Sequence, residues 1–438
     1  MGQSNRYTDR QDSIFRTTVL TILYFLFLYP FQVPGLPFGT VIPVIGLLAI
    51  ISIFSFGRKN NNKLSSSKMV KNYWWWTIFL IVYISLLLSS NGSGNGSTPI
   101  RDYVNMLLIL PIFYISGIFL CRDIEDLMRL LYIGVIIQSI IIIAALFLPS
   151  LSLALFLLIP EGGYNSDNFG GIDMIDQVGY HVGLGVFTSA GSLKMAIGQV
   201  GAAYFLIKNR GIKLSFHLVV YMLITIATSL VSRTGLLVSV VGLLTVLTVK
   251  NKQNRQRAFG YVSSVIIILI LGGIVATTFF SMDLLEDSFK RLSDTAERGI
   301  FDTYFRGYIG EGGDNNIPPI SVETIIGLGI TYGTSGSGIT TITDGGFMRN
   351  YSAMGLVVAI INYVIIAFFF IKRYNATISV EYKGIILFMA AIILIGEFKE
   401  YYIYYISPMC FLFLIFGLIE RSERTSLITI GGSFTIVR

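Results

Sequence analysis

Residues 348–373 read MRNYSAMGLVVAIINYVIIAFFFIKR, and this stretch decides what kind of chain this is. After Arg349 no charge appears until Lys372 and Arg373. A helix needs roughly 20 mostly apolar residues to cross a hydrocarbon core about 30 Å thick, because it rises about 1.5 Å per residue. The stretch satisfies that requirement and carries its charges at its two ends, as a membrane-spanning helix does. The rest of the chain has the same character. Of its 438 residues 53% are hydrophobic and only 13% charged, whereas soluble domains carry about a quarter of their residues as charged ones. A water-soluble globular fold is therefore not expected.

About twelve runs meet or nearly meet the same test. They lie near 17–35, 39–57, 73–90, 103–120, 129–148, 192–207, 214–231, 236–250, 259–280, 348–371, 384–398 and 402–419. The expectation is an all-α polytopic integral membrane protein with about 12 transmembrane helices, residues 1–438 forming a single bundle. Residues 1–16 are polar and mixed in charge, and the first apolar run opens no small-residue cleavage site, which predicts a retained first span.

Lys and Arg fix the orientation, since short translocated loops are poor in them. Arg58, Lys59, Lys63, Lys68 and Lys71 follow the second run, and Arg122 and Arg129 flank the fifth. Lys208, Arg210 and Lys213 join the sixth and seventh, and Lys250, Lys252, Arg255 and Arg257 follow the eighth. Lys372 and Arg373 follow the tenth, and Arg421 and Arg424 the last. All fall on one side, which the rule makes cytoplasmic, with both termini there. The formal charge of +7 is thus directed at the membrane surface and not at nucleic acid. The opposite side receives the loop 91–102, a first large loop at 149–191, the Ser232–Gly235 turn and a second large loop at 281–347. Loops longer than about 12–15 residues are usually functional or disordered, so function is sought on this outer side. Within the second, Met282 to Arg298 has the pattern of an amphipathic surface helix, and a Gly-rich run extends from Gly327 to Gly346.

No phosphate-binding P-loop, dinucleotide fingerprint or metal-spaced His or Cys motif is present, and no metal or cofactor is expected. Cys121 and Cys410 suggest neither a disulfide framework nor a metal site. His217 reads as a packed or interfacial histidine, whereas His181, in the first large loop, is either structural or an acid–base group. Arginines on the outer side run against the charge rule and so carry more information. Arg233 sits in the Ser-Arg-Thr-Gly turn, Arg291, Arg298 and Arg306 in the second large loop, and Arg349 at the start of the tenth run. A guanidinium presents a planar fork of donors suited to phosphate oxygens. Their alternative is interfacial anchoring or ion pairing with Asp294, Glu297 and Asp302, the reading preferred for Arg291. Lys194 is a further phosphate contact or a snorkelling lysine. Asp344, beside the start of the tenth run, is either a proton acceptor or a helix-start residue favoured by the dipole. Glu397, Lys399 and Glu400 form a charged knot, either functional at membrane depth or an ordinary solvated turn.

Three stretches together resemble the O-antigen polymerase and ligase family of bacterial polysaccharide assembly. They are LVSRTGLL at 230–237, TIIGLGI at 324–330, and DGGF at 344–347 followed by Arg349 and Gly355. The resemblance implies a metal-independent membrane glycosyltransferase in the bacterial inner membrane, with its two larger loops periplasmic. Its substrates would be undecaprenyl-pyrophosphate-linked glycans, joined as repeat units into O-antigen, capsular or exopolysaccharide. Arg233 would contact the pyrophosphate with Arg306 or Arg298 sharing the charge, and a carboxylate or histidine would take the acceptor's proton. A chain-length regulator and a flippase are the partners the resemblance implies. Ligases of the family carry a histidine in the large outer loop and 281–347 has none, which favours a polymerase. Many members also have an arginine ahead of a Gly-x-Phe stretch in the first loop; here His181 precedes Gly183, Gly185 and Phe187. A flippase or exporter of lipid-linked sugar, ligase-like transfer and a non-enzymatic membrane partner are the competing readings. Transporters commonly reveal charged or broken spans near the midplane, whereas this chain keeps its ionisable residues at the outer ends.

Overall fold

The computed structural model describes residues 16–32, 40–56, 67–92, 96–158, 183–185, 188–209, 212–249, 320–336, 338–341 and 345–431. The described elements are almost wholly helical. In chain order they are α1 (Arg16–Leu28), α2 (Val41–Phe56), α3 (Ser67–Asn91), α4 (Ile100–Leu120), α5 (Ile124–Phe147) and α6 (Pro149–Leu157). Next come α7 (Thr188–Lys208), α8 (Ile212–Val231), α9 (Arg233–Val249) and the short α10 (Val322–Ile326). A two-stranded antiparallel hairpin follows, β1 (Gly333–Thr334) with β2 (Thr340–Thr341), and then α11 (Gly346–Ala376), α12 (Val380–Lys399) and α13 (Ile406–Gly431). Six of these helices are long and apolar enough to cross a membrane, and three shorter apolar helices accompany them. The chain is a multi-pass α-helical membrane protein. The expected span at 259–280 lies outside the described residues.

Several boundaries differ from the sequence reading, each for a physical reason. The helix expected from 129 begins at Ile124, because Asp123 caps it by accepting the Asp126 amide at 2.9 Å and its charged first turn lies beyond the apolar stretch. The ends of the expected loop 149–191 are helical, in α6 and in the start of α7. The Ser232–Gly235 turn shrinks to Ser232, since α9 starts at Arg233. The tenth run is not an unbroken helix: α11 starts at Gly346 and is interrupted at Gly355, whose φ of 77° is open to glycine but strained for other residues.

The chain divides into two compact units, Met1–Gly57 with Ser116–Ser281, and Arg58–Ile115 with Met282–Arg438. In the first unit α7 is the central helix, packed by α5, α8 and α9. In the most apolar 18-residue window of Ala190–Lys208, 83% is buried inside the protein, against 28% in that of Lys68–Asn91, so α7 is far more enclosed by the described residues than α3. Small residues make this possible. A Cβ at Gly198 would press on Val135, and one at Gly201 would press on the Met128 carbonyl and Tyr132 amide of α5. Lipid tails are as apolar as leucine, so close backbone approach and interhelical hydrogen bonds hold such helices together in place of hydrophobic contrast. The hydrogen bonds are there too: the buried Gln199 amide of α7 donates to Thr228 Oγ1 on α8 at 3.0 Å and to Ser239 Oγ on α9 at 2.8 Å. At one end of the unit Arg16 pairs with Asp126 at 3.5 Å, and Glu125 pairs with Arg129 at 3.7 Å and with Lys208. His217 packs as a structural histidine, hydrogen-bonded to the Tyr132 hydroxyl at 2.9 Å and stacked on Phe205.

In the second unit α11 packs against α3, α10 and α12, and α13 against α3 and α12. Its core is aromatic, with Tyr73, Phe369 and Phe413 in mutual contact and Phe113 edge-on to Phe411. At one end the buried Arg373 pairs with Glu420, which also binds Arg424. Cys121 and Cys410 are free and buried.

Replacing Gly201 by valine is expected to destabilise the protein by about 1–3 kcal/mol, the usual cost of forcing extra carbon into a packed interior. Thermal unfolding in detergent checks this, with Leu206→Val, a loss of volume on the same helix, giving a different and smaller change.

Candidate functional site

Two groups of polar residues stand at helix ends, one in each unit. In the first unit the N-terminal ends of α7 and α9 meet. Ser232, immediately before α9, donates its hydroxyl proton to Ser192 Oγ of α7 at 2.7 Å, and it caps α9 by accepting the Gly235 amide at 3.3 Å. A Cβ on Gly235 would press on the Thr228 carbonyl and on Ser192, so the glycine is what lets the turn of chain sit this close. Arg233 is the first residue of α9, and Lys194 lies in the second turn of α7, two residues from Ser192. The local fold therefore draws together two positions, Arg233 and Lys194, that sequence reading selected separately. The Lys194 ammonium makes no hydrogen bond or ion pair with the described residues. Helix N-termini carry partial positive charge and unsatisfied amides, and the backbone positions of a lysine and an arginine lie at these two helix starts.

The second group is built on the break in α11. With the helix interrupted at Gly355, the carbonyls of Ser352 and Ala353 lose the partners a continuous helix would supply. The Gly-rich segment supplies new ones: Leu328 N–H donates to Ser352 O at 2.7 Å and Gly329 N–H to Ala353 O at 3.0 Å. Gly327 and Gly329 have φ of 121° and 78°. Side chains of α3 hold the same segment, Tyr83 donating to Ile326 O at 2.6 Å and Asn91 to Gly327 O at 3.0 Å. Beyond it, Thr331 N–H donates to Ser97 O at 2.8 Å and Ser97 N–H to Tyr332 O at 2.7 Å, pairing the segment with the chain that leads into α4. Two stretches separated in sequence, 324–330 and the start of the tenth run with Gly355, thus form one structural feature.

Charged residues border this feature. The Arg349 guanidinium in the first turn of α11 lies over the Tyr332 ring, 5.9 Å from its centre. Asp102, in the first turn of α4, sits partly buried in the electrostatic reach of Arg101 and Arg349. Tyr405 donates to Glu400 Oε2 at 3.5 Å and lies in the reach of Arg349 and Asp102. Beneath them Glu397 is 1% exposed. Its carboxylate accepts the Tyr363 hydroxyl at 2.8 Å, the Asn350 amide at 3.3 Å and the Ile403 backbone N–H, tying α11 to the turn Tyr402–Tyr404. The solvated-turn reading of Glu397 is therefore corrected: it lies within α12, buried, because three donors compensate its removal from water.

Of the residues selected from sequence, Arg233, Lys194 and Arg349 have described backbones, the first two in one unit and the third in the other. His181, Asp344, Arg291, Arg298 and Arg306 lie outside the described residues. Sequence reading passed over Asp102, Asn350, Tyr363 and Tyr405. Asp102 had a signal, a carboxylate where the loop 91–102 meets an apolar run. The other three are polar residues in apolar surroundings, and only packing shows whom they serve. No family model matches this chain, and no curated protein or solved structure matches it.

Gly355→Ala is expected to loosen the Gly-rich segment, since an alanine there takes on about 1–3 kcal/mol of backbone strain and its Cβ would meet the Ile325 and Ile326 carbonyls. Hydrogen exchange at the Leu328 and Gly329 amides checks this: faster exchange at these two, with the amides of α7 unchanged, is the expected result.

Proposed function

We propose that this protein is a membrane glycosyltransferase that joins undecaprenyl-pyrophosphate-linked oligosaccharide repeat units into a polysaccharide on the outer face of a bacterial inner membrane. The observation that carries the reading is the meeting of the α7 and α9 N-termini, through Ser192 and Ser232, which brings the positions of Lys194 and Arg233 together. A lipid-linked sugar diphosphate is a leaving group that gains negative charge as the anomeric C–O bond breaks. Fixed cations and helix N-termini aimed at that oxygen act in the transition state more than in the ground state, which is where catalysis requires them. Arg233 and Lys194 hold the diphosphate in this account, and the resemblance assigns Arg306 or Arg298 a share of that charge. Asp344 or His181 accepts the proton of the incoming hydroxyl. The reaction draws on no cofactor, and the lipid-linked repeat units, a flippase that delivers them and a chain-length regulator are its partners.

The placement of these groups at helix ends also supports transfer over transport. A carrier of lipid-linked sugar is expected to place its charged contacts at midplane breaks. The interruption at Gly355 lies in the early part of α11 and is filled by Leu328 and Gly329.

The test is polymer formation from purified lipid-pyrophosphate-linked repeat units by the protein in liposomes. Wild type is expected to give chains of increasing length, undiminished by chelator, and Arg233→Ala is expected to lose chain growth by about 100-fold or more, the usual cost of removing one charge-stabilising donor. Folded wild type that leaves intact repeat units unjoined shifts the assignment to transport or to transfer onto another acceptor.

A further inference from the structure

We infer that a cavity at the far end of α11 is a binding site for the phosphate of an anionic phospholipid headgroup. The cavity has a volume of about 300 Å³, at the low end of the range of roughly 300–1,000 Å³ that small-molecule sites occupy. Met69 at the start of α3, Lys372 and Arg373 in the last turns of α11, and Ile378 in the turn to α12 form part of its wall. Glu420, Glu423 and Arg424 of α13 complete it, and all of these residues belong to the second unit. Three cations and two carboxylates therefore line it. The site is independent of the reaction proposed above.

Both carboxylates are already committed. Glu423 accepts the Ile378 N–H at 2.7 Å and the Ser379 N–H at 3.2 Å, and so holds the turn between α11 and α12. Glu420 stands between two guanidinium groups, paired with Arg373 and with Arg424. The cations keep capacity to spare. Arg373 is only 7% exposed, and its Nη2 donates to Glu420 and, at 3.7 Å, to Met69 Sδ. Its buried Nε–H has no acceptor among the described residues. The Lys372 ammonium makes no hydrogen bond or ion pair with a described residue and lies 5.8 Å from the centre of the Phe368 ring. A buried donor without an acceptor is costly, and a phosphate supplies several acceptors to the fork of an arginine and the point charge of a lysine. A cation in the same cavity would find both carboxylates engaged.

Depth and the neighbouring surface identify a lipid as the source of the phosphate. Lys372 and Arg373 are the first charges after Arg349 in a run long enough to span, so the cavity lies at the level of the headgroups. Val364, Phe368 and Ile371 are exposed at helical spacing on α11 and lead up to Lys372, giving a face for the acyl chain of a lipid whose phosphate sits in the cavity. Basic pockets between helices on the cytoplasmic side hold anionic headgroups in other membrane proteins, and the charge rule puts this end of α11 on that side.

The test is binding of phosphatidylglycerol to the full chain in a neutral detergent, read by native mass spectrometry as one lipid per protein, with phosphatidylcholine for comparison. Lipid at low mole fraction builds no charged surface, so diffuse attraction does not imitate a site. Phosphatidylglycerol is expected to bind about fivefold or more tightly than phosphatidylcholine, and Lys372→Gln to weaken it by about fivefold, the usual worth of one basic residue against an anionic headgroup. Arg373→Lys is expected to weaken it at least as much, because an ammonium lacks the planar fork. Lys213→Gln, at an exposed lysine on α8 of the first unit, is expected to leave it within about twofold of wild type. Inorganic phosphate in excess is expected to leave the lipid bound; its displacing the lipid reassigns the cavity to free phosphate and overturns the lipid assignment. Equal affinity for the two lipids also overturns the inference. So does a loss in Lys372→Gln no larger than that in Lys213→Gln, the mark of snorkelling lysines without a site. If Arg373→Lys does not fold, the comparison of Lys372→Gln with Lys213→Gln decides.

Discussion

No water is present inside a bilayer to take a backbone N–H or C=O, so every departure from a helix there has to find its partners in protein. The break at Gly355 is such a departure, and much of the second unit follows from it. Two carbonyls released from α11 are taken by the amides of Leu328 and Gly329, which can lie flat against the helix because glycine stands on both sides of Leu328 and again at Gly355. A side chain at Gly327 would collide with the backbone of Met354 and Gly355. Once the segment is held there, Thr331 and Tyr332 are carried to Ser97, and through them the start of α4 is positioned. Asp102, in the first turn of α4, inherits its place from this chain of backbone hydrogen bonds.

The described helices of the first unit solve the same problem by close packing, the approach of α7 to α5 coming from glycine at 198 and 201. Polar side chains in its interior are used sparingly and in company, as with Gln199, Thr228 and Ser239. Each such group would be costly alone in an apolar setting and is tolerable as a connected set. Ser192 and Ser232 continue this logic to the helix ends, where a hydrogen bond between two hydroxyls joins the start of α7 to the residue before α9.

Glu397 illustrates how a buried acid can be structural. Its three donors come from a helix and from the turn Tyr402–Tyr404, so that one carboxylate joins the beginning of α11 to the beginning of α13. A Cβ on Gly346 would strike this carboxylate and the Glu400 carbonyl, which explains the glycine at the start of α11. The start of α11 and the turn before α13 are thereby held together by one carboxylate.

What the sequence determined by itself is the membrane character and the positions of most of the described helices. Apolar runs of spanning length are a local property, legible without knowing any partner, and the glycines at 327, 329 and 355 and the arginines at 233 and 349 stood out against their surroundings. The limits of helices were less legible because caps such as Asp123 extend them past the apolar stretch. Which motifs meet was not legible at all. That 324–330 docks into the break at Gly355, that Ser192 finds Ser232, and that Glu397 is enclosed by Asn350, Tyr363 and Ile403 are contacts between residues far apart in the chain. Only the tertiary structure decides them, because a hydrogen-bonding group in lipid takes whichever partner packing brings within reach, and the packing is a property of the assembled helices and not of any one of them.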